Sequence, residues 1–329
     1  MKMEYQKLHQ LFMGKLLKKR FELEAANLLA TIFADNTRDG IASHGINRFP
    51  RFITQIRDHT IRLDTRLERT ATFGAWEQWN GNHRAGPLNA TKSMARAMEL
   101  AHEHGMGMVA LSNTTHWMRG ATYGYQAAEA GCAALCWTNT TANMSPWGTH
   151  IHAIGNNPMV MSVPAQPEPI VLDMAMSQYS YGKMELLRET GEKLPYPGGF
   201  DHNGVPTTDP NEILTTRQVL PIGMWKGSGL AILLDLFAAM LSGGAGTVDI
   251  PVAEPNCSQI FIAISPRNES QLQAWTASIR HIMERITTLC GSHGETVRFP
   301  GDRSIRQRRE SIEHGIDVAE SMLVKVQEL

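Results

Sequence analysis

Residues 107–138, GMVALSNTTHWMRGATYGYQAAEAGCAALCWT, decide the fold class of this chain. Gly107 to Ser112 is a short apolar run typical of a buried strand, Ala121 to Ala130 has helical spacing, and Ala133 to Thr138 is apolar again. An alternation of strand and helix predicts an α/β fold. The same alternation continues in predicted helices at 91–104, 229–241 and 270–289 and in predicted strands at 159–164, 170–174 and 259–264.

Both ends of the chain have a residue pattern that is typical of helices. Residues 4–36 are rich in Leu, Ala, Lys, Glu and Phe, and their apolar residues recur at helical spacing. A further helix is predicted over 47–57, and the chain turns helical and polar again after residue 300. The two ends are therefore expected to be helical, on either side of the α/β region.

The composition is typical of a globular protein without a strong charge preference. The 329 residues, 42% hydrophobic and 19% charged, suffice for two domains with a sizeable core. A formal net charge of -1 gives no general attraction to nucleic acid or to an anionic membrane. The basic cluster at 303–309 is followed by Glu310 and Glu313, which favours a solvated helix face. Neither nucleic acid nor membrane is expected as a partner.

Several features predict a soluble protein of the cytoplasm. The N-terminus lacks the apolar core of a signal peptide. The most apolar long stretch, Leu230 to Leu241, is short and contains Asp235, which favours a core helix over a membrane span. The four cysteines lack the paired spacing of a metal site, and Cys132 and Cys136 lie in a predicted buried strand. A reducing compartment and no metal site are therefore expected.

Ser43-His44-Gly45, followed by Ile46-Asn47-Arg48, carries the clearest chemistry in the sequence. Histidine exchanges a proton near neutral pH, and arginine holds a carboxylate with a planar pair of donors. If Gly45 opens a helix, His44 and Arg48 lie about one turn apart on one face. Together they suit proton transfer to an anionic substrate. The alternative is a capping serine, a surface histidine and an arginine on a helix face.

Polar clusters lie at the ends of three predicted strands. His116 lies beyond the first, Thr138-Asn139-Thr140 at the end of the second, and Asp173 at the end of the strand at 170–174. Ligands of α/β folds bind beyond the carboxyl ends of strands, so these clusters are expected to line one pocket. Each alone is also explained as a strand-end cap or a turn.

A Rossmann dinucleotide fingerprint is absent from the sequence. Gly227-Ser228-Gly229 comes closest, but Ile232 occupies the third glycine position. Lys226, beside these glycines, is a candidate phosphate contact through its ammonium group and the adjacent backbone donors. The alternative for Lys226 is an exposed loop lysine. A bound nucleotide would therefore need a different framework.

In this order, the motifs resemble those of the malate/L-lactate dehydrogenase family, which is unrelated to the Rossmann dehydrogenases. The resemblance covers nearly the whole chain, and the matching residues are 43–45, 113–116, 155–158, 172–177, 226–230 and 299–301. It implies an α/β fold with a mixed-sheet, non-Rossmann nicotinamide-binding domain at 76–284. It also implies a helical domain at 1–75, completed by 285–329, and a homodimer.

The resemblance implies site residues by position. His44 corresponds to the family's proton donor. The cofactor-binding positions correspond to three stretches, namely Pro169, Ile170, Val171, Leu172, Asp173, Met174 and Ala175, then Trp225 and Lys226, and then Gly301, Asp302 and Arg303. Asp302 stands where many relatives have Glu. The expected cofactor is NAD, bound as NADH, with NADP as the alternative.

The reaction implied is hydride transfer from reduced nicotinamide to a 2-keto sugar acid. In this scheme His44 protonates the alkoxide oxygen and Asp173 orients its imidazole. Arg48 holds the substrate carboxylate, and His116 contacts another substrate oxygen. Malate, lactate, sulfolactate and a cyclic imino acid are alternative substrates. An alternative of another class is a catalytically silent protein that binds a sugar acid or a nucleotide.

Overall fold

The computed structural model describes residues 1–292 and 294–329, which form eleven β-strands and eleven α-helices. The strands are β1 (Lys2–Met3), β2 (Glu68–Phe73), β3 (Trp76–Asn80), β4 (Met106–Thr114), β5 (Ala133–Thr138), β6 (Met159–Val163), β7 (Ile170–Met174), β8 (Gly199–Phe200), β9 (Pro206–Thr207), β10 (Cys257–Ile264) and β11 (Ile316–Asp317). The helices are α1 (Tyr5–Lys18), α2 (Leu23–Arg38), α3 (Phe49–Arg57), α4 (Gly86–His104), α5 (Ala121–Glu129), α6 (Tyr181–Thr190), α7 (Pro210–Thr216), α8 (Trp225–Ser242), α9 (Glu269–Gly291), α10 (Asp302–His314) and α11 (Glu320–Gln327).

A seven-stranded mixed sheet has the order β2-β3-β4-β10-β5-β6-β7. In the described residues β3 and β4 are parallel, and every other neighbouring pair in this sheet is antiparallel. It follows that β3, β4, β5 and β7 all run in one direction and end at the same edge of the sheet. The predicted mixed-sheet fold outside the Rossmann class is confirmed.

Helices cover both faces of this sheet. On one face, α4 and α5 pack around Trp117 and Phe261, and α5 contributes Tyr123 to this core. On the other face, α8 packs through Ala231 and Leu234 against a core that includes α6 and α7. The central strand β10 serves both cores, because its successive side chains point to opposite faces.

A helical part is assembled from both chain ends, as expected. The core joins Leu8 of α1, Phe33 of α2, Phe49 of α3 and Val326 of α11. β1 pairs antiparallel with β11, so the first residues of the chain are hydrogen-bonded close to its end. The exact domain boundaries at 75 and 285 stay a prediction, and β2, within 1–75, hydrogen-bonds to β3 as part of the large sheet.

Helix α8, expected as a core helix, packs on the sheet with only one of its sides. Ala231, Leu234 and Ala238 face the sheet, whereas Leu233, Leu236 and other apolar side chains are exposed. Among the described helices, α8 has the length and apolar composition of a membrane span, and only 33% of its residues are buried. Its composition is apolar all round, so the sequence did not reveal which side would pack.

Candidate active site

Two histidines meet at the sheet edge where the four co-directional strands end. His44 closes a short 3-10 turn, Ala42–His44, that follows α2, and His116 follows β4. Their imidazole rings stack with centroids 5.7 Å apart and an interplanar angle of 26°. Both histidines are partly exposed to solvent, and we refer to the surface around their rings as the cleft.

Packing against α2 fixes the backbone that carries His44. Asn36 Nδ2 donates to the His44 carbonyl oxygen at 3.0 Å, and Thr37 Oγ1 accepts the N–H of Ile46 at 3.0 Å. A Cβ at Gly45 would lie 2.3 Å from Thr37 Oγ1. Glycine is therefore required here by the close approach to α2 rather than by a turn.

The helix expected to open at Gly45 begins later. Gly45 has φ −108° and ψ −124°, which lies outside the helical region, and α3 starts at Phe49 with a proline in its first turn. Arg48 is the N-cap of α3. His44 and Arg48 are thus not on one helical face, but the turn between them still brings the Arg48 charge close enough to act on His44.

The surroundings of His44 keep its imidazole neutral. Burial, and then the guanidinium groups of Arg48 and Arg119, lower the pKa of His44 to about 4. Its Nδ1 lies 3.1 Å from the hydroxyl oxygen of Ser43, which is exposed and can either donate or accept. Near neutral pH the imidazole of His44 is therefore mostly uncharged.

His116 is held by the backbone that follows it. Its Nδ1 accepts the N–H of Met118 at 2.9 Å. Burial lowers the pKa of His116 well below its usual value, as do the charges of Arg48, His44 and Arg51. Two neutral imidazoles thus face a cleft that is bordered by guanidinium groups.

Arg48 has a partner that the sequence did not indicate. Its Nη2 donates to Glu254 Oε2 at 2.8 Å, and Arg51 Nη2 reaches the same oxygen at 3.4 Å. Glu254 is nearly buried and has φ +60°, a rare conformation for this residue. Within the described residues the buried Nε of Arg48 has no partner, so the guanidinium is not saturated. Glu254 lies in a proline-flanked loop, which carries no sequence signal for a site.

Asp173 is not placed as expected. Its Oδ2 accepts the N–H of Ala121, the first residue of α5, at 2.8 Å. The role expected for Asp173 stays a prediction, but no hydrogen bond joins Asp173 to His44 among the described residues. The reason is that the end of β7 points at the start of α5, where unpaired backbone N–H groups attract a carboxylate.

The cluster at 138–140 is used by the scaffold. Asn139 is fully buried, donates to Asp235 and to the Ala245 carbonyl oxygen, and accepts the N–H of Ser258. These bonds tie the end of β5 to α8 and to the start of β10. The capping alternative therefore holds for Asn139.

A buried ionic junction connects the segments around the cleft. Asp39, with 1% of its side chain exposed, accepts from Arg119 at 2.8 Å and from two nitrogens of Arg308 at 3.0 and 2.8 Å. Both guanidinium groups also face the ring of Tyr125, at 5.6 and 5.1 Å from its centroid. The junction fixes α10 and the loop that carries His116 relative to the end of α2. Sequence reasoning missed it, because its members are far apart in the chain.

Two of the expected cofactor stretches lie against each other. A Cβ at Gly301, which has φ +95°, would lie 3.5 Å from the carbonyl oxygen of Val171 in β7 and 3.4 Å from the Tyr125 hydroxyl. That hydroxyl is buried and unpartnered within the described residues. β7 is the last strand of the sheet, so one row of its backbone groups remains outside the ladder. A cavity of about 490 Å³ adjoins Gly301, Asp302 and Arg303.

The remaining stretch, Trp225 and Lys226, lies beyond the carboxyl end of β7. The N–H of Ile222 donates to the carbonyl oxygen of Met176, and this contact brings the start of α8 to the segment that follows β7. Trp225 and Lys226 are exposed there, in the first turn of α8. A Cβ at Gly227 would lie 2.1 Å from the Ile222 carbonyl oxygen, so this glycine allows the tight turn. All three stretches therefore border β7 or its continuation. Within residues 1–292 and 294–329, no group of three or more metal-ligating side chains is found.

Comparisons with known proteins agree over the full length. The family model for malate/L-lactate dehydrogenase matches residues 3–327. The 2,3-diketo-L-gulonate reductases of Citrobacter koseri and Klebsiella pneumoniae are 42% and 43% identical, with 100% of each chain covered. Among solved structures, sulfolactate dehydrogenase from Methanocaldococcus jannaschii has a TM-score of 0.92 at 25% identity and covers 100% of this chain and 96% of its own. A delta1-piperideine-2-carboxylate reductase from Pseudomonas syringae has a TM-score of 0.87 at 27% identity, with coverage of 100% and 99%.

Proposed function

This chain belongs to the malate/L-lactate dehydrogenase family, and we propose that it reduces a 2-keto sugar acid, 2,3-diketo-L-gulonate, to 3-keto-L-gulonate. It is an oxidoreductase of the nicotinamide-dependent dehydrogenase type. The substrate assignment is supported by full-length relatives of that name at 42% and 43% identity. The observation that carries the chemistry is the stacked His44–His116 pair, beside Arg48, in a partly open cleft.

The side chains divide the work of the reduction. Bound reduced nicotinamide supplies the hydride to the carbonyl carbon. His44 donates a proton to the carbonyl oxygen, so that the product is an alcohol and His44 is left neutral. Arg48 binds the substrate carboxylate through donors that Glu254 does not occupy. His116 donates to a second substrate oxygen.

The chain offers a fitting framework for the cofactor. The free backbone edge of β7, the residues 169–175 and the first turns of α8 and α10 surround one strip of surface. Gly301 has a φ of +95° that favours glycine, Gly227 allows the tight turn before α8, and the Tyr125 hydroxyl is a donor without a partner in the described chain. Lys226 supplies a positive charge for the phosphates. We assign NADH as the cofactor, with NADPH as the alternative.

Steady-state assays with purified protein test the assignment. The panel contains 2,3-diketo-L-gulonate, oxaloacetate, pyruvate, sulfopyruvate and a cyclic imino acid, each with NADH and with NADPH. We expect the highest kcat/KM for 2,3-diketo-L-gulonate with NADH. His44→Ala should bind NADH as the parent does and lose about two to four orders of magnitude in turnover. A parent enzyme that binds the sugar acid but oxidises neither cofactor with any substrate would support the silent binding protein instead.

We also propose a homodimer in the cytoplasm. The outer face of α8 exposes Leu233, Leu236, Phe237 and Met240 at helical spacing, with between 46% and 66% of each residue accessible. The distal half of α9 likewise exposes Ile282, Ile286 and Leu289. All four cysteines are free, which suits a reducing compartment. Light scattering should give twice the chain mass of 36.5 kDa for the parent and the monomer mass for Leu236→Glu.

A further inference from the structure

The hydrogen bond at His116 fixes its protonation state by geometry. The N–H of Met118 is always a donor, so the Nδ1 that accepts it at 2.9 Å carries no hydrogen. A proton added to Nδ1 would face the Met118 hydrogen. The neutral ring therefore carries its hydrogen on Nε2, and full protonation would break the bond to Met118.

The turn that presents this N–H is rigid. Met118 has φ +66°, and both it and Trp117 are buried. The Trp117 carbonyl oxygen accepts the Tyr123 hydroxyl at 2.6 Å, which ties the turn to α5. The Met118 N–H consequently does not rotate away to admit a second proton on His116.

His44 is in a different situation. Its Nδ1 contacts the exposed hydroxyl of Ser43, which can rotate to donate to a neutral imidazole or accept from a charged one. The charged and titratable groups that act on His44 are Arg48, Arg119 and His116, and those that act on His116 are Arg48, Arg51 and His44. Of the two stacked rings, only His44 is free to cycle a proton.

We propose that His116 is a permanently neutral hydrogen-bond donor, through Nε2–H, to an oxygen on the carbon next to the reacting carbonyl. Within the described residues Nε2 makes no hydrogen bond, and the ring is partly exposed, so this donor is available to a ligand. Two nearly parallel rings suit two oxygens on neighbouring carbon atoms. His116 thereby selects 2-oxo acids that carry an oxygen on C3. The inference rests on the proposed function for its substrate.

Hydroxypyruvate and pyruvate form a matched pair of substrates that differ by one oxygen on C3. We expect the parent to prefer hydroxypyruvate in kcat/KM by about 5- to 30-fold, the size of one hydrogen bond in a cleft. His116→Asn keeps an acceptor for Met118 but has no donor at the Nε2 position, and it should bring the ratio close to one. His116→Gln places an amide donor near that position and should retain part of the preference. His44→Ala should lower both rates and leave the ratio unchanged.

Nitrogen NMR of protein labelled at histidine tests the protonation state without turnover, with His116→Asn identifying the signals. We expect His116 to remain the neutral Nε2–H form from pH 5 to 8. Titration within that range, the Nδ1–H form, or an unchanged substrate ratio in His116→Asn would overturn the inference. Failure of the parent to reduce any oxo acid would instead refute the proposed function, while the NMR result still decides the state of His116.

Discussion

The pH dependence of the reduction follows from the charges around His44. In the proposed mechanism, reduction draws a proton from His44, whose pKa is lowered to about 4. Because pH 7 is about three units above this pKa, about one His44 imidazole in a thousand is protonated. Protonating the imidazole at pH 7 therefore costs about 4 kcal/mol. We therefore expect kcat/KM for the oxo acid to fall about tenfold per pH unit from pH 5 to 8.

The surroundings of His44 set the direction of this pH dependence. Burial and the guanidinium groups of Arg48 and Arg119 disfavour the imidazolium, so His44 loses its proton at a lower pH than usual. In the proposed complex, the substrate carboxylate at Arg48 offsets one of these charges and raises the pKa of His44. Since kcat reports the substrate complex, kcat should begin to fall at a higher pH than kcat/KM.

Initial rates of NADH oxidation at fixed ionic strength test the slope. The matched control is His314→Ala, which removes an exposed histidine and should keep the parent profile. His44→Ala should be slow at every pH and lose the parent slope. A parent kcat/KM that is constant between pH 5 and 8, or that levels off already near pH 7, would refute the assignment of His44 as a proton donor of low pKa.

Four further outcomes are expected. Asp39→Asn should lower the free energy of unfolding in urea by about 3–5 kcal/mol, because it removes the buried negative charge that faces Arg119 and Arg308. The exposed Asp317→Asn should cost less than about 1 kcal/mol. The arginines lower the pKa of Asp39. The contribution of Asp39 to the free energy of unfolding should therefore be complete above about pH 4 and be lost as the pH falls through the lowered pKa. Equal acid sensitivity of the parent and Asp39→Asn would contradict this. Gly45→Ala should destabilise the protein by about 1–3 kcal/mol and lower turnover, since its Cβ would collide with Thr37. A melting temperature and a rate equal to those of the parent would show that α2 can move to make room for the Cβ. Lys226→Met should raise the calorimetric Kd for NADH about tenfold, and an unchanged Kd would remove Lys226 from the site.

Local sequence patterns were enough to predict several strands of the large sheet. The bounds predicted for β5, 133–138, and β7, 170–174, are those observed, because both are short apolar strands between clear helix or turn signals. β2 and α6 were not predicted. Every residue of β2 is exposed, so this edge strand lacks the apolar alternation that reveals a half-buried one.

The sequence by itself determined the α/β class, the helical ends, the absence of a Rossmann loop and the chemical types of His44, Arg48 and His116. Those features depend on residue identity and on spacing over a few residues. Only the tertiary structure decided that His44 stacks on His116, that Glu254 pairs with Arg48, and that Asp173 caps α5 instead of meeting His44. It also decided which side of α8 packs. These contacts join segments that lie far apart in the chain, and strand order and direction bring them together, which short-range propensity does not encode.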